Sequence, residues 1–264
     1  MNDLLLSEIK SRQFDFLGAL QLIEAFIFEE SFEENIKETL ECSSSAESLL
    51  EPLVDYCEQE LDDIEDSLAQ AEHLINVLFL DLLFIERKPK HWPVDCFKLK
   101  NGIEHRTLFP VVKAVILRHI IEQCGFEADL VFVPEKVMLR LICDQQFAII
   151  FDPLNGESLN WEELDQRLDE LPAESSQYQM DAMDIKAVLT EYLTALKTSL
   201  IADGHYNKAL RCVDVLLTLK PDDPFERRDR GFLLHQLDCF KVAYDDYQYF
   251  VNQCPQDPAA QILK

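Results

Sequence analysis

A repeat with a period of 34 residues in the last third of the chain is the feature that most constrains its fold. Aromatic, small and proline residues recur in register: Tyr206 with Phe240, Ala209 with Ala243, Leu216 with Phe250, Pro221 with Pro255, and Asp223-Pro224 with Asp257-Pro258. A fixed period of this length is typical of helix pairs that stack side by side, so that each pair buries its apolar face against the next. The last third of the chain is therefore predicted to be a helical repeat array.

The recurring residue types fit the helix pairs of tetratricopeptide repeats. The small Ala209 and Ala243 allow paired helices to approach closely, the aromatic residues fill the space between them, and proline ends the second helix of each pair. Two repeats are fewer than the roughly three that such an array needs to be stable alone. We therefore expect the array to rest on the preceding domain, or on a partial repeat formed by a helix at residues 185–200. An ordinary helical tail with accidental similarity is the alternative.

Residues 1–90 are predicted to form an acidic helical N-terminal region. Apolar residues recur at intervals of three and four in residues 14–32, 49–57 and 68–85, as on one face of an amphipathic helix. This region holds 22 acidic and 6 basic residues, which is −16 of the net charge of −26. The acidic run at residues 58–66 is interpreted as a solvated face, with a docking patch for a basic partner as the alternative.

Residues 91–175 are predicted to form an α+β core. Two prolines near residue 90 mark its start, and a linker at residues 172–176 separates it from helical repeats at residues 176–264. An apolar helix at residues 111–121 is followed by Gly125, a typical helix stop. Three β-type runs follow at residues 128–133, 137–143 and 147–151. A helix followed by an antiparallel meander is typical of the α+β class.

The charge balance excludes some classes of partner. With 50 acidic and 24 basic residues, the chain lacks the excess of Lys and Arg that binding to a nucleic-acid backbone requires. An anionic membrane surface is disfavoured for the same reason. The sequence contains neither a secretory signal nor a segment long and apolar enough to span a bilayer, so we expect a cytoplasmic protein without nucleic-acid or membrane partners.

No cofactor and no metal are expected. The 6 glycines are scattered rather than gathered in a phosphate-binding loop, and no cluster of His or Cys with carboxylates has the spacing of a metal site. The 8 cysteines never form a Cys-x-x-Cys pair, which favours free, buried thiols.

Residues 92–264 resemble bacterial proteins of unknown role that join a transglutaminase-like domain to tetratricopeptide repeats. The resemblance is carried by Arg140, the run Asp152-Pro153-Leu154-Asn155-Gly156-Glu157-Ser158-Leu159, Arg228-Asp229-Arg230-Gly231 and Gln236-Leu237-Asp238. It implies an α+β, mostly helical fold with N-terminal helices, a papain-like core with a small antiparallel sheet, and C-terminal repeat helices. For enzymatic relatives it also implies a triad, with a Cys at the start of a helix and a His and an Asp on a sheet.

This triad is predicted to be degenerate, so we expect no enzymatic activity. Matching against the enzymatic relatives places Pro110 at the nucleophile and Lys136 at the His, and only Asp152 agrees. Pro110 instead suits the first turn of a helix. Asp152 is interpreted as part of an Asp-Pro-x-Asn-Gly turn or as an ion-pair partner of Arg140, with a remnant ligand-binding role as the alternative.

Two functions from different classes remain open. The first is a non-catalytic protein-interaction or scaffold protein, whose repeats bind an unknown protein partner. Its candidate binding residues are Arg140, Asp152, Asn207, Lys208, Arg227, Arg228 and Arg230. The basic residues of the repeats could instead pair with Asp222, Asp223 and Glu226. The second function is a cysteine-dependent peptidase or acyltransferase that uses a noncognate Cys96/His105 pair.

Overall fold

The computed structural model describes residues 15–29, 44–86, 88–133, 136–159, 162 and 180–263. The chain divides into two compact units: the sheet unit, within residues 40–185, and the repeat unit, formed by residues 1–39 and 186–264. Helix α1 (Phe16–Phe28) belongs to the repeat unit. This grouping differs from the division at residues 90 and 175 drawn from the sequence, because residues 44–86 pack with the sheet unit.

The sheet unit begins with helices and ends with a three-stranded sheet. Its elements are α2 (Ser44–Leu61), α3 (Ser67–Asn76), a π-helical turn (Val77–Asp81), a 3-10 turn (Val94–Phe97), α4 (Leu99–His105), α5 (Pro110–Gln123), β1 (Glu127–Val133), β2 (Lys136–Ile142) and β3 (Ala148–Phe151). Helix α3 starts where the sequence supplies a cap, since the Asp66 carboxylate accepts the N–H of Ala69 at 2.8 Å.

Helix α5 is the centre of the sheet unit. Its apolar residues are buried around nearly the whole helix. The helix packs against β1 and β2, and it also packs against α2. The helix ends as predicted, because Gly125 follows with φ +88°, a conformation that glycine adopts without strain. The buried helix and its sheet form one layered core.

The sheet has the order β1-β2-β3 and both pairs are antiparallel. The predicted α+β class with a small antiparallel sheet is therefore confirmed. Arg140 lies in the middle of β2, opposite Asp129 on β1 and Ile150 on β3. The same face of the sheet carries a small apolar cluster of Val131, Val133, Met138 and Ile150, with Leu159 and Met180 packed against it.

The repeat unit consists of helices joined by short turns. After α1 these are α6 (Ile185–Ala202), α7 (Tyr206–Leu219), α8 (Pro224–Gln236), α9 (Phe240–Gln253) and α10 (Pro258–Leu263). Asp223 caps α8 by accepting the N–H groups of Phe225 and Glu226, and Pro224 is the first helical residue. The same Asp-Pro pair recurs before α10, so the repeat seen in the sequence marks the start of two helices.

Small residues set the spacing of the repeat helices. Ala209 and Ala243 are buried, as the repeat pattern predicts. On α8, a Cβ placed on Gly231 would lie 2.9 Å from the Tyr247 ring of α9, so these helices approach too closely for a larger side chain. The predicted helix at residues 185–200 is α6, which precedes α7 as the first helix of the array.

Helix α1 completes the repeat unit by packing against α7. The guanidinium of Arg211 on α7 donates from Nη1 to the carbonyl oxygens of Phe26 at 3.0 Å and Glu29 at 2.9 Å. These carbonyls lie at the C-terminal end of α1. A cation at this position also interacts favourably with the helix dipole.

Candidate functional site

Three elements of the sheet unit carry the positions that the resemblance assigns to the triad of the enzymatic relatives. Pro110 is the first residue of α5, as predicted, where its missing N–H removes no hydrogen bond. Lys136 begins β2, and Asp152 directly follows β3. Because Leu139 lies opposite Phe151 in the antiparallel register, Asp152 is a diagonal cross-strand neighbour of Lys136.

Lys136 and Asp152 form an ion pair. The Lys136 Nζ lies 3.0 Å from the Asp152 Oδ2, with the lysine side chain 40% exposed and the aspartate 16% exposed. The pair thus occupies the two positions that the resemblance assigns to His and Asp. Its chemistry differs from that of an imidazole and a carboxylate, because an ammonium group donates hydrogen bonds and has no acceptor for a proton.

The Asp-Pro-x-Asn-Gly run forms the predicted turn after β3. Asp152 Oδ1 accepts the N–H of Leu154 at 2.9 Å, and Asn155 Oδ1 accepts the N–H of Glu157 at 3.1 Å. Gly156 has φ +75° and donates its N–H to the Asp152 carbonyl at 2.8 Å. The two carboxylate oxygens of Asp152 therefore serve different purposes, since one builds the turn and the other holds the ion pair.

The predicted ion pair between Asp152 and Arg140 is wrong. Arg140 faces Asp129 directly across the β1–β2 ladder, and its Nη2 lies 2.7 Å from the Asp129 Oδ2. Its Nη1 donates to the Met180 carbonyl at 3.0 Å. A directly opposite carboxylate is closer than a diagonal one, which explains the choice of partner. Arg140 thus ties the chain at Met180 to the sheet.

A buried lysine lies one turn into α5, at a position that sequence reasoning missed. Lys113 is fully buried, and its Nζ lies 3.0 Å from the Glu86 Oε2 and 3.2 Å from the Phe84 carbonyl oxygen. Burial lowers the pKa of Lys113, while Glu86 and, more weakly, Asp152 oppose that change. The available signal was a single lysine among the apolar residues of the first two turns, at residues 110–117, because a buried ammonium requires a partner.

The environment of Cys96 does not favour the alternative function, in which this residue is a nucleophile paired with His105. Cys96 is 4% exposed and lies beside the start of α5, since its carbonyl accepts the N–H of Phe109 at 2.9 Å. Burial raises the pKa of its thiol to about 11, with Glu86 adding to the rise. His105 is exposed at the end of α4. A buried, protonated thiol does not supply the thiolate that attack on an amide needs.

The arginines of α8 have partners other than those predicted. Arg227 Nη1 and Arg230 Nε reach the two oxygens of Asp246 on α9, at 3.1 Å and 2.7 Å. Arg228 lies 2.8 Å from its neighbour Asp229. Residues 227 and 230 are one turn apart on a helix, so both side chains extend towards the same point on α9.

Glu226, one of the carboxylates expected to pair with these arginines, is used elsewhere. Glu226 and Asp229 both lie 2.8 Å from the Nζ of Lys197 on α6. Lys197 is 5% exposed, and its carboxylate partners outweigh the effect of burial, so that its pKa is raised. The ion pairs therefore join helices of the repeat unit, and the order of residues along the chain does not indicate which helices meet.

A cavity of about 600 Å³ in the repeat unit brings two predicted binding residues together. It is lined by Phe28 of α1, the turn at Gly204 and His205, residues of α7 and Leu237; Asn207, Lys208 and Asp214 are among its α7 residues. The Lys208 Nζ lies 5.4 Å from the centre of the Phe28 ring, a cation–π contact. Asn207 is exposed at the rim.

The described part of the chain offers neither a metal site nor a membrane span. Among the described residues, no group of three His, Cys, Asp or Glu side chains is placed to hold a metal ion. None of the described helices combines the length and apolar character needed to cross a bilayer.

The fold fits a class of protein in which a transglutaminase-like α+β domain is followed by tetratricopeptide repeats. The profile of the transglutaminase-like superfamily matches residues 44–194, and that of the tetratricopeptide repeat matches residues 196–264. The chain belongs to the transglutaminase-like superfamily. The match starts at α2 and therefore includes α2 and α3.

The relatives are bacterial proteins that share most of this length. The UPF0162 protein of Vibrio cholerae is 35% identical over 202 residues, which cover 75% of either chain. The UPF0162 protein YchA of Escherichia coli is 31% identical over 218 residues, 81% of either chain. Protein SirB1 of Salmonella typhimurium is 29% identical over 218 residues, again 81% of either chain. No solved structure matches the chain.

Proposed function

We propose that this protein is a cytoplasmic, non-catalytic scaffold, in which a degenerate transglutaminase-like domain is joined to repeats that bind a protein partner. The observation that carries the proposal is the 3.0 Å ion pair between Lys136 and Asp152, the residues that the resemblance assigns to the triad His and Asp. A triad needs a neutral imidazole that accepts the proton of the nucleophile. An ammonium held by a carboxylate has no site for that proton.

The nucleophile position supports the same proposal. Pro110 has no side-chain atom that could form an acyl intermediate, and its role at the first position of α5 is structural. Cys96 lies next to this helix start but is buried with a raised thiol pKa. Neither residue supplies the activated thiolate on which this chemistry depends.

The repeats support the binding half of the proposal. Tetratricopeptide repeats generally mediate protein–protein interactions, and their helix pairs offer concave surfaces. Of the predicted binding residues, Asn207 and Lys208 line an open cavity, whereas the arginines of α8 are held by Asp246 and Asp229. We therefore assign partner contact to Asn207 and Lys208, and a structural role to Arg227, Arg228 and Arg230.

Affinity capture from bacterial cytoplasm, with the full chain as bait, tests the binding half. The variant Lys208→Glu reverses charge at the cavity, and Lys100→Glu, at an exposed residue of α4, is its matched control. Some proteins should be retained by both the wild type and Lys100→Glu. We expect the captured amount of these proteins to fall at least ~10-fold with Lys208→Glu, which corresponds to a loss of about 1.4 kcal/mol in binding free energy. Equal capture by both variants would exclude this surface.

An activity measurement tests the other half. The protein is incubated with amide, ester and glutamine-donor substrates, before and after alkylation of its thiols. We expect no turnover above the buffer rate. Turnover that alkylation abolishes would show that a cysteine is catalytic, and the scaffold proposal would then be wrong.

A further inference from the structure

Three large aliphatic side chains are exposed together at the end of the π-helical turn of the sheet unit. The exposed fraction is 63% for Leu80, 60% for Leu83 and 54% for Ile85. Phe84, which lies between the last two, is fully buried, so Leu83 and Ile85 extend from the opposite side of the chain, towards solvent. Exposed apolar residues are usually scattered singly. We call these three, which lie within six residues, the apolar patch.

Leu83 is strained as well as exposed. Its φ of +59° lies in the left-handed region, which at the end of a helix is usually occupied by glycine. Two backbone hydrogen bonds hold this bend: the N–H of Leu82 donates to the Val77 carbonyl at 2.9 Å, and that of Phe84 to the Leu78 carbonyl at 3.1 Å. The leucine therefore costs backbone strain, although most of its side chain is not buried. Such a residue indicates a role beyond the fold of a single chain.

The backbone that carries the apolar patch is fixed on both sides of the bend. Arg106, which follows α4, donates from Nε to the Leu82 carbonyl at 3.0 Å, and its guanidinium carbon lies 4.9 Å from the centre of the Phe84 ring. Further along, the N–H of Glu86 donates to the Leu154 carbonyl at 2.7 Å. A surface that is already ordered loses little conformational entropy on binding, so the patch is preorganised for contact.

The charges on the two sides of the apolar patch have opposite signs. The segment that leads up to the patch and contains it, residues 44–86, has 12 acidic residues and no Lys or Arg. The segment that follows, residues 88–106, has five Lys or Arg and two acidic residues. Asp81 and Lys88 are the exposed members of these two groups nearest to the patch in the chain. Helix α2, which carries several of the carboxylates, packs against the π-helical turn, so the acidic side includes groups from two elements.

We propose that the apolar patch is the centre of a two-fold symmetric contact between two copies of this chain. A two-fold axis through the patch places each patch on that of the other copy and reverses the order of the charges. The side of Asp81 on one copy then faces the side of Lys88 on the other, twice per dimer. A partner of uniformly basic or uniformly acidic charge would meet like charges on one side, so a second copy fits this surface better.

The contact is small, so the dimer is expected to be weak. An interface centred on three side chains lies at the low end of interface sizes, for which we expect a Kd on the order of 10–100 μM. The net charge of −26 on each copy opposes association at long range. At an ionic strength of about 0.15 M, a Debye length of about 8 Å screens most of this repulsion, while adjacent charges still interact. The dimer is independent of the proposed function, because the patch lies in the sheet unit and the assigned partner contacts, Asn207 and Lys208, lie in the repeat unit.

Sedimentation equilibrium of the full-length protein tests the proposal. The protein is measured from about 5 to about 500 μM, a range that spans the expected Kd, with a reductant that prevents disulfides between copies. We expect the apparent mass to rise with concentration from 30.6 kDa towards twice this value. A mass of 30.6 kDa at every concentration would show that the patch does not form a dimer, and the proposal would be wrong.

Leu83→Gly tests the patch itself. The substitution removes the central side chain and relieves the strained φ, so we expect the Kd of the dimer to rise at least ~10-fold while the thermal midpoint stays within about 2 °C of the wild type or rises. Ile262→Ala, which truncates a side chain that is 86% exposed in the repeat unit, is the control and should leave the Kd unchanged. A dimer that persists unchanged in Leu83→Gly, or that Ile262→Ala weakens equally, has its interface elsewhere and overturns the proposal.

Charge variants test the symmetry of the contact. Lys88→Asp places acid on both sides of the patch and Asp81→Lys places base on both sides, so each variant alone should raise the Kd at least ~5-fold. Mixed in equal amounts, the two variants present opposite charges at both contacts, and we expect the mixture to associate about as strongly as the wild type. A mixture that stays monomeric would contradict the two-fold arrangement. If the wild type is monomeric and Leu83→Gly reduces the capture of another protein, the patch binds that protein and the dimer proposal is wrong.

Discussion

Gly156 is the residue at which the turn after β3 meets the core of the sheet unit. Its φ of +75° closes the Asp-Pro-x-Asn-Gly turn, and a Cβ at this position would lie 2.6 Å from the Phe79 ring. Phe79 is itself buried and packs edge-to-face on Phe151, with ring centres 5.9 Å apart. The ring therefore has little room to move, and the turn depends on a residue without a side chain.

We expect Gly156→Ala to destabilise the sheet unit by about 2–4 kcal/mol, from the strained φ and the contact with Phe79 together. Denaturant-induced unfolding measures this loss. Gly125→Ala is the matched control, since Gly125 has φ +88° but no neighbour near its Cβ position, and should lose only about 1 kcal/mol. Equal losses in both variants would show that the contact with Phe79 has no energetic weight.

At the scale of elements, buried ion pairs decide how the repeat helices fit together. Asp246 of α9 is 1% exposed and receives both Arg227 and Arg230 of α8. Lys197 of α6 is held in the same way by Glu226 and Asp229 of α8. Helix α8 is thus joined to both α6 and α9 by charges that have lost much of their water, and such pairs are sensitive to the loss of either partner.

The variant Asp246→Ala leaves two arginines beside an uncharged, buried site, and we expect it to destabilise the repeat unit by about 3–5 kcal/mol. The change is measured by thermal or denaturant unfolding. Asp245→Ala removes the adjacent, exposed carboxylate of α9 and should change stability by less than about 0.5 kcal/mol. A small effect of Asp246→Ala would show that the arginines find other partners or water.

These elements also show what the sequence could and could not predict. The helix stop at Gly125, the first-turn Pro110 and the turn at Asp152 follow from local preferences of single residues, and the structure has all three. The partners of Arg140 and Arg230 do not, because they depend on strand register and on which helices pack together. A charged residue indicates that a partner is needed, but only the tertiary fold determines which one.

The same limit applies to the candidate site. The resemblance locates Lys136 and Asp152 in the chain, but their ion pair follows from the diagonal across β2 and β3. Nothing around Lys113 in its apolar helix indicates that Glu86, which is 27 residues earlier, reaches it.

At the scale of the whole molecule, the chain contains two units with separate cores. Phe84, Phe97 and Phe151 are fully buried in the sheet unit, and Tyr192 and Phe250 in the repeat unit. A unit with its own apolar core can unfold as a cooperative whole. In the repeat unit, α1 packs against α7, and Arg211 donates hydrogen bonds to its last carbonyl groups.

We therefore expect the two units to lose their structure in distinguishable steps. Hydrogen exchange followed by mass spectrometry, at increasing denaturant concentration, reports the opening of each unit through its own peptides. Gly156→Ala should lower the denaturant concentration at which the amides of α5 and the sheet lose their protection from exchange. Asp246→Ala should do the same for the amides of α7 to α9. Because the two substituted residues share no partner, the double variant should show both shifts without further change. Either single variant could instead shift the loss of protection equally in the peptides of both units. The chain would then unfold as one cooperative body, and the two units would not be separate in stability.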